Sequence, residues 1–330
     1  MRSEKDKILP VVFIVGRGRS GSTLLTSLLN NHPQIIAPEE SRFVQELYYQ
    51  FKNTKEWSDV NKEKFCNAVF SCFESLDIDK NGLENRIFSL EKDASLAAFL
   101  QEVYLSVKQL SLKENIQLIV DKNPKYSFFI PKLRAIFPEA KFIHLTRDYR
   151  ESFLSFKKIK GMKGERKNLS FQIFRWRYYH RSILKEKSSI PDLSYLHVKY
   201  EDLVSDTEQF MKKIANFIGV DFKEELIEHQ QIQREGVRAE IHQNLNKEIN
   251  TSKIDKWKKE MSQKEIKLAN AIAGEIALQF NYEKEASRLG LFGFLQTFPM
   301  RIIALSPLFF RKVFFRFSFL MRIFYLLKKR

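Results

Sequence analysis

The run Phe13-Ile-Val-Gly-Arg-Gly-Arg-Ser-Gly-Ser-Thr-Leu-Leu25 constrains this chain more than any other feature. It reads as a buried strand, a glycine-rich loop and the start of a helix. Such a junction aims backbone N–H groups and the positive end of a helix dipole at an anion. Gly16, four residues, Gly21 and then Ser22-Thr23 follow the spacing of a nucleotide P-loop, but the lysine that reaches the β/γ-phosphates is missing. The loop therefore argues against ATP or GTP and for a shorter anionic group. A phosphosulfate fits. The plainer alternative is a generic glycine turn between strand and helix.

The rest of the chain predicts an α/β fold. Short β-rich runs at Val11–Val15, Ile116–Val120, Lys141–Leu145 and Tyr195–Val198 alternate with amphipathic helical patterns. The helical patterns fall near 22–31, 40–52, 61–75, 93–111, 127–137, 149–160, 168–187 and 206–219, and Gln263–Phe280 closes the body. This alternation predicts a central parallel sheet flanked by helices on both faces. Lys157–Lys167, charged and with two glycines, reads as a loop. The expected organisation is a catalytic body over 1–285 and a tail over 286–330.

Charge separates body from tail. The chain of 330 residues carries a net +16, and from Ala286 to Arg330 there are nine Lys/Arg residues and no Asp or Glu. A positive body suits an anionic ligand, and a concentrated positive tail suits an acidic surface. The tail interleaves Phe292, Phe294, Phe298, Phe309, Phe310, Phe314, Phe315, Phe317, Phe319 and Phe324 with basic residues. An amphipathic helix in a membrane interface is expected, with anionic lipids meeting Arg311, Lys312, Arg316, Arg322 and Lys328-Lys329-Arg330. The alternative is packing of the phenylalanines on the body or on another subunit, which leaves a homodimer open. Arg301 and two prolines within Leu289–Phe310 argue against a spanning helix. Cys66 and Cys72, six apart on an expected helix, point to different faces and are poorly placed to pair. With the polar N-terminus Met1–Pro10, which lacks an apolar leader segment, they predict a cytoplasmic protein, peripheral on the inner face of the membrane if the tail binds lipid.

Three further segments carry chemistry. In Phe142-Ile-His-Leu-Thr-Arg147 a strand delivers an arginine to its carboxyl end, where open α/β sheets bind ligands, and Ser155 follows eight residues later. Arginine suits bidentate phosphate contact and a serine hydroxyl can complete the cradle, unless Asp148 simply neutralises Arg147. In Asp121-Lys-Asn-Pro-Lys125, Lys122 stands where a strand ends and can stabilise charge on a leaving oxygen; alone it reads as a surface lysine. In His32-Pro-Gln-Ile-Ile-Ala-Pro-Glu-Glu-Ser-Arg42, Glu39 or Glu40 can act as general base, or can simply favour a helix dipole at a helix N-terminus. No His/Cys/Asp cluster has metal-ligand spacing, so no metal is expected.

The combination resembles the sulfotransferase superfamily, which uses 3′-phosphoadenosine 5′-phosphosulfate (PAPS), and within it the branch of tyrosylprotein sulfotransferases and their bacterial relatives. Arg19-Ser20-Gly21-Ser22-Thr23 is similar to the family's R-S-G-T-T, His32-Pro33 to its H-P, and Pro38-Glu-Glu-Ser-Arg42 to its G-E-E-T-R. The resemblance implies that Glu40 is the base, that Lys122 in a segment similar to N-K-D-P is catalytic, and that Arg147 and Ser155 take the 3′-phosphate. Arg42 is carried over as a substrate contact. Val198-Lys-Tyr-Glu-Asp-Leu-Val204 resembles the Y-E-D-L segment and implies that Tyr200 lies near the nucleotide. Ile241–Trp257 resembles the late segment over the cofactor and implies contacts from His242, Lys247 and Lys256. The resemblance covers about residues 10–280. The family's second basic contact falls on Ile159, so Lys158 or Lys160 is expected to substitute. The membrane anchor of the lumenal enzymes is not seen, so a glycan, lipid or small-molecule hydroxyl is the expected acceptor. The rival expectations are a P-loop kinase and a basic nucleic-acid-binding protein. The missing loop lysine weighs against the first. Against the second, the cations concentrate in an apolar tail and no nucleic-acid motif accompanies them.

Overall fold

A computed structural model describes residues 8–72, 77–108, 113–159, 161, 164–227, 251–283 and 288–314. The chain divides into two compact units, 1–147 with 182–251, and 148–181 with 252–330.

The first unit is built on five parallel strands in the order β2-β3-β1-β4-β5. They are β1 (Val11–Gly16), β2 (Ile35–Ile36), β3 (Leu118–Lys122), β4 (Lys141–Thr146) and β5 (Tyr195–Lys199). Every residue of β1 is buried, as expected of a central strand with both faces covered. Its alternation sorts the core. Val11, Phe13 and Val15 join one apolar cluster, while Val12 and Ile14 join the other. The first cluster takes residues from α2 (Phe43–Phe51), α3 (Asp59–Cys72), α4 (Lys80–Ser89), α5 (Leu96–Leu105) and α6 (Ile130–Ile136). The second takes them from α1 (Ser22–Asn30), α9 (Tyr200–Ser205) and α10 (Thr207–Ile218). The expected parallel sheet with helices on both faces is therefore the fold.

Several boundaries differ from expectation, each for a local reason. The two-residue strand β2 lies between prolines and is too short to show alternation. In α4, Gly82 stands in the first turn and only Leu83 and Ile87 are buried, so periodicity is weak; the Asp79 carboxylate accepting from the Gly82 N–H fixes its start. The expected helix from 40 begins only at Phe43, which leaves Glu40 on a loop.

The second unit contains α7 (Tyr149–Lys157) and α8 (Leu169–Lys187) up to Arg181, then α11 (Trp257–Glu260), α12 (Gln263–Ala273), α13 (Glu275–Gln279) and α14 (Leu291–Phe314). A reciprocal box between Ser262 and Glu265 opens α12, and Gly274, at φ 54°, breaks the expected 263–280 helix in two. Part of the expected 157–167 loop is a 3₁₀ turn at Gly164–Lys167. Cys66 is buried on α3 and burial pushes its thiol up to about 11; the Cys72 side chain lies outside the described residues.

Two polar groups inside the first unit have measurable consequences. The Lys113 ammonium donates to the carbonyls of Asn30, His32 (3.0 Å) and Ile35 (2.6 Å), closing the C-terminal end of α1 onto β2. Lys113→Met strands these acceptors and is expected to cost roughly 2–3 kcal/mol in urea unfolding. Beneath the sheet end, Asp121 is fully buried and accepts from the Tyr104 and Tyr126 hydroxyls, each at 2.6 Å. Burial outweighs these bonds and pushes its carboxyl up to about 6. A folded pKa above the unfolded value gives stability that is full below the ordinary aspartate pKa and lost as pH rises through about 6. Chemical denaturation across this window should show a fall on the order of 2 kcal/mol that Asp121→Asn flattens.

Candidate active site

The carboxyl ends of the strands in the first unit bring the expected residues together. β1 ends at Gly16, whose N–H donates to Ser127 Oγ and whose carbonyl accepts from the same hydroxyl, both at 3.1 Å. Gly16 has φ 147°, and a Cβ there would lie 2.3 Å from the Leu145 carbonyl oxygen on β4. Arg19 and Gly21 both adopt left-handed φ, 73° and 88°. Gly21 also lies directly against the Tyr200 ring, where a Cβ would approach to 2.3 Å. Two left-handed residues bracketing Ser20 curl the loop over the start of α1, the conformation that turns successive N–H groups inward.

The start of α1 is electrostatically open. Its N-cap is Gly21, with no side-chain cap and no acid in the first turn. Thus the first-turn amides and the positive end of the dipole face the loop without a carboxylate on the helix itself. Ser20 is fully buried and its hydroxyl has no hydrogen-bond partner among the described residues. Ser22 and Thr23 stand half-buried in the first turn.

Cations gather at the same edge. Arg147 follows β4 and is 7% exposed, and its guanidinium lies 4.4 Å over the Tyr200 ring. Burial, and then the charge of Arg147, lower the pKa of Arg19. Two guanidiniums that repel one another beside an open helix start favour an anion between them. Within the second unit, Asp148 directs its carboxylate to Arg150, at 2.6 and 3.0 Å, and caps α7 through the Arg150 N–H.

At the end of β3, Lys122 is 5% exposed and its ammonium donates to Glu40 Oε2 at 2.6 Å; the Glu40 side chain is about half exposed. Asn123 fixes this arrangement from the next position. Its amide donates to the Ser41 carbonyl and its Oδ1 accepts from the Lys125 N–H at 2.9 Å, so the two segments are tied together. The result is a solvent-reachable carboxylate beside a buried ammonium: a proton acceptor next to a fixed positive charge. Arg42 is exposed and reaches Glu46 at 3.7 Å.

The remaining expected residues belong to the second unit or lie outside the described residues. Ser155 is half-buried on α7, and Lys256 half-buried before α11. Lys158, which with Lys160 is the expected replacement for the missing basic contact, is exposed and its ammonium pairs with Glu260 at 2.9 Å. Lys160, His242 and Lys247 lie outside the described residues. Sequence reasoning missed Asn123 and Ser127 as organisers of the site, and missed the seat of Trp257. The Trp257 N–H donates to Glu151 at 3.0 Å and its ring lies 3.6 Å from the Arg150 guanidinium. Only Asn123 had a signal, its place beside Lys122. Among the described residues no group of His, Cys, Asp and Glu is placed to hold a metal ion.

The chain is similar to known proteins in sequence and in fold. The model of the Sulfotransferase family matches residues 10–224. Protein-tyrosine sulfotransferase 1 of Danio rerio is 24% identical over 260 residues, 76% of this chain and 66% of that protein. Protein-tyrosine sulfotransferase 2 of Gallus gallus is 25% identical over 232 residues, 69% of this chain and 56% of that protein. The chain thus spans under two thirds of these relatives' own lengths. Among solved structures, the sulfotransferase domain from the curacin biosynthetic pathway aligns with a TM-score of 0.58 at 23% identity, covering 84% of this chain and 99% of that one. The sulfotransferase domain of the Synechococcus PCC 7002 olefin synthase aligns with a TM-score of 0.55 at 23% identity, covering 86% and 98%. With the family model matching well over half of its length, the chain belongs to the Sulfotransferase family.

Proposed function

We propose that this protein transfers a sulfuryl group from PAPS to an acceptor hydroxyl. The observation that carries this reading is the buried Lys122 ammonium held 2.6 Å from Glu40 at a sheet edge that also carries an anion-binding loop. The residues present suit the donor: the unpartnered Ser20 hydroxyl, the left-handed Arg19–Gly21 turn and the open start of α1 match a compact anionic group. When bound, the donor supplies an activated sulfuryl group on a phosphate leaving group. Arg19, Ser20, Gly21, Ser22 and Thr23 hold its 5′ end. Arg147, backed by the Tyr200 ring, holds the 3′-phosphate. Glu40 takes the proton from the acceptor hydroxyl. Lys122, 2.6 Å from that carboxylate, offsets the negative charge that grows on the departing oxygen. As in phosphoryl transfer, the contribution of the chain is positioning and electrostatics.

For the acceptor we propose a glycan, lipid or small-molecule hydroxyl, the class the sequence led us to expect. The relatives named protein-tyrosine sulfotransferases favour a second reading, a tyrosine in a protein. Incubation with ³⁵S-labelled PAPS and either tyrosine peptides or polar-lipid and glycan extracts separates them by where the label appears.

A thermal-shift series tests the donor: adenosine 3′,5′-bisphosphate should raise the melting temperature, whereas ATP-magnesium or RNA as the stabilising ligand would replace this reading with a kinase or a nucleic-acid-binding protein. Glu40→Gln and Lys122→Ala should each lower kcat by roughly 10²-fold or more, measured as label transfer, with the bisphosphate affinity of Glu40→Gln unchanged. Turnover near wild type in either variant removes that residue from the chemistry. Gly21→Ala, which forces a methyl into the Tyr200 ring at a left-handed φ, should weaken bisphosphate binding roughly tenfold by calorimetry.

A further inference from the structure

Helix α14 reverses the usual amphipathic arrangement. Toward its own unit it buries Thr297 and Ala304, the Ala304 carbonyl accepts from Arg175 at 3.3 Å, and Arg301 donates to the Tyr178 hydroxyl at 3.3 Å. The opposite side is apolar and open: Leu291, Leu295, Phe298 and Ile302 are 78%, 61%, 45% and 51% exposed, and Phe292 is 81% exposed. Leu291, Leu295, Phe298 and Ile302 recur four, three and four residues apart, which places them in one stripe along the helix. A soluble helix rarely shows its apolar stripe to water, and such a continuous patch marks a contact surface.

Charge decides between occupants. The chain from 286 to 330 holds nine cations and no anion. Further guanidiniums stand beside the stripe. Arg301 lies 5.6 Å over the Phe294 ring. On α8, burial and then the charges of Arg181 and Arg301 lower the pKa of Arg177. A second copy of this helix would bring the same cations against the first. Anionic headgroups would offset them while the acyl boundary covers the stripe. Among the described residues no helix is long and apolar enough to cross a membrane.

We propose that the exposed face of α14 docks into the interface of an anionic lipid bilayer, with its phenylalanine and leucine side chains inserted and the flanking arginines at the headgroups. The docking does not depend on the catalytic reading.

Co-sedimentation of the full chain with vesicles tests it, using phosphatidylcholine alone or phosphatidylcholine mixed with phosphatidylglycerol. The mixed vesicles should bind roughly tenfold more tightly, and added salt should weaken that binding. The double substitution Phe292→Ser/Leu295→Ser should lower binding about tenfold, with an unchanged thermal melt because both side chains are already exposed. The proposal is overturned if neither vesicle binds, if both bind equally, or if the double variant binds like wild type. It is equally overturned if light scattering finds a dimer that the double variant disperses, since a second copy would then cover the stripe.

Discussion

The site rests on the parallel registration of β1 between β3 and β4. Ile14 stands opposite Lys122 on one side of the central strand, and Gly16 opposite Leu145 on the other. Because all five strands run the same way, every carboxyl end opens at the same edge. Residues separated by more than a hundred positions, the loop at Arg19 and the arginine at 147, are thereby delivered to one place without any long side chain having to reach. The full burial of β1 makes this registration costly to change, since a one-residue slip would exchange the two core faces.

Upon that frame the electrostatics are deliberately one-sided. Burial and then the charge of Arg147 lower the pKa of Arg19, and the helix start behind them carries no acid. Placing like charges together costs stability, and function commonly accounts for such local cost. At Lys122 a carboxylate is supplied, and it comes from the loop before α2, outside the helix, where Glu40 remains open to solvent. In the proposed reaction, anion grip and proton acceptance thus fall to different segments of the same edge.

Much of this was legible in the chain itself. The strand–loop–helix run, the lysine at the end of β3 and the arginine at the end of β4 are contiguous signals in which residue type and position coincide. β1, β3 and β4 are similarly plain, because buried parallel strands read as largely apolar runs, whereas β5 is mostly half-buried and shows only as a β-rich run. What escaped is non-local or weakly periodic. Ser127 meets Gly16 across 111 positions of sequence, and no spacing announces such a bond. Asp121 looks like an ordinary polar residue beside Lys122 until Tyr104 and Tyr126 are seen to enclose it. The late start of α2 followed from the Asn123 tie to Ser41, a tertiary bond that overrides the helical pattern.

The Tyr200 ring has a further consequence. It lies against Gly21 and carries the Arg147 guanidinium, 4.4 Å from its centroid. One flat, incompressible plate is thus shared by the two parts of the proposed anion grip, the loop at Gly21 and the Arg147 guanidinium. For the proposed donor the ring would act as a gauge: a bulkier or thinner side chain at that position would shift these two parts relative to one another and recalibrate which ligand length fits.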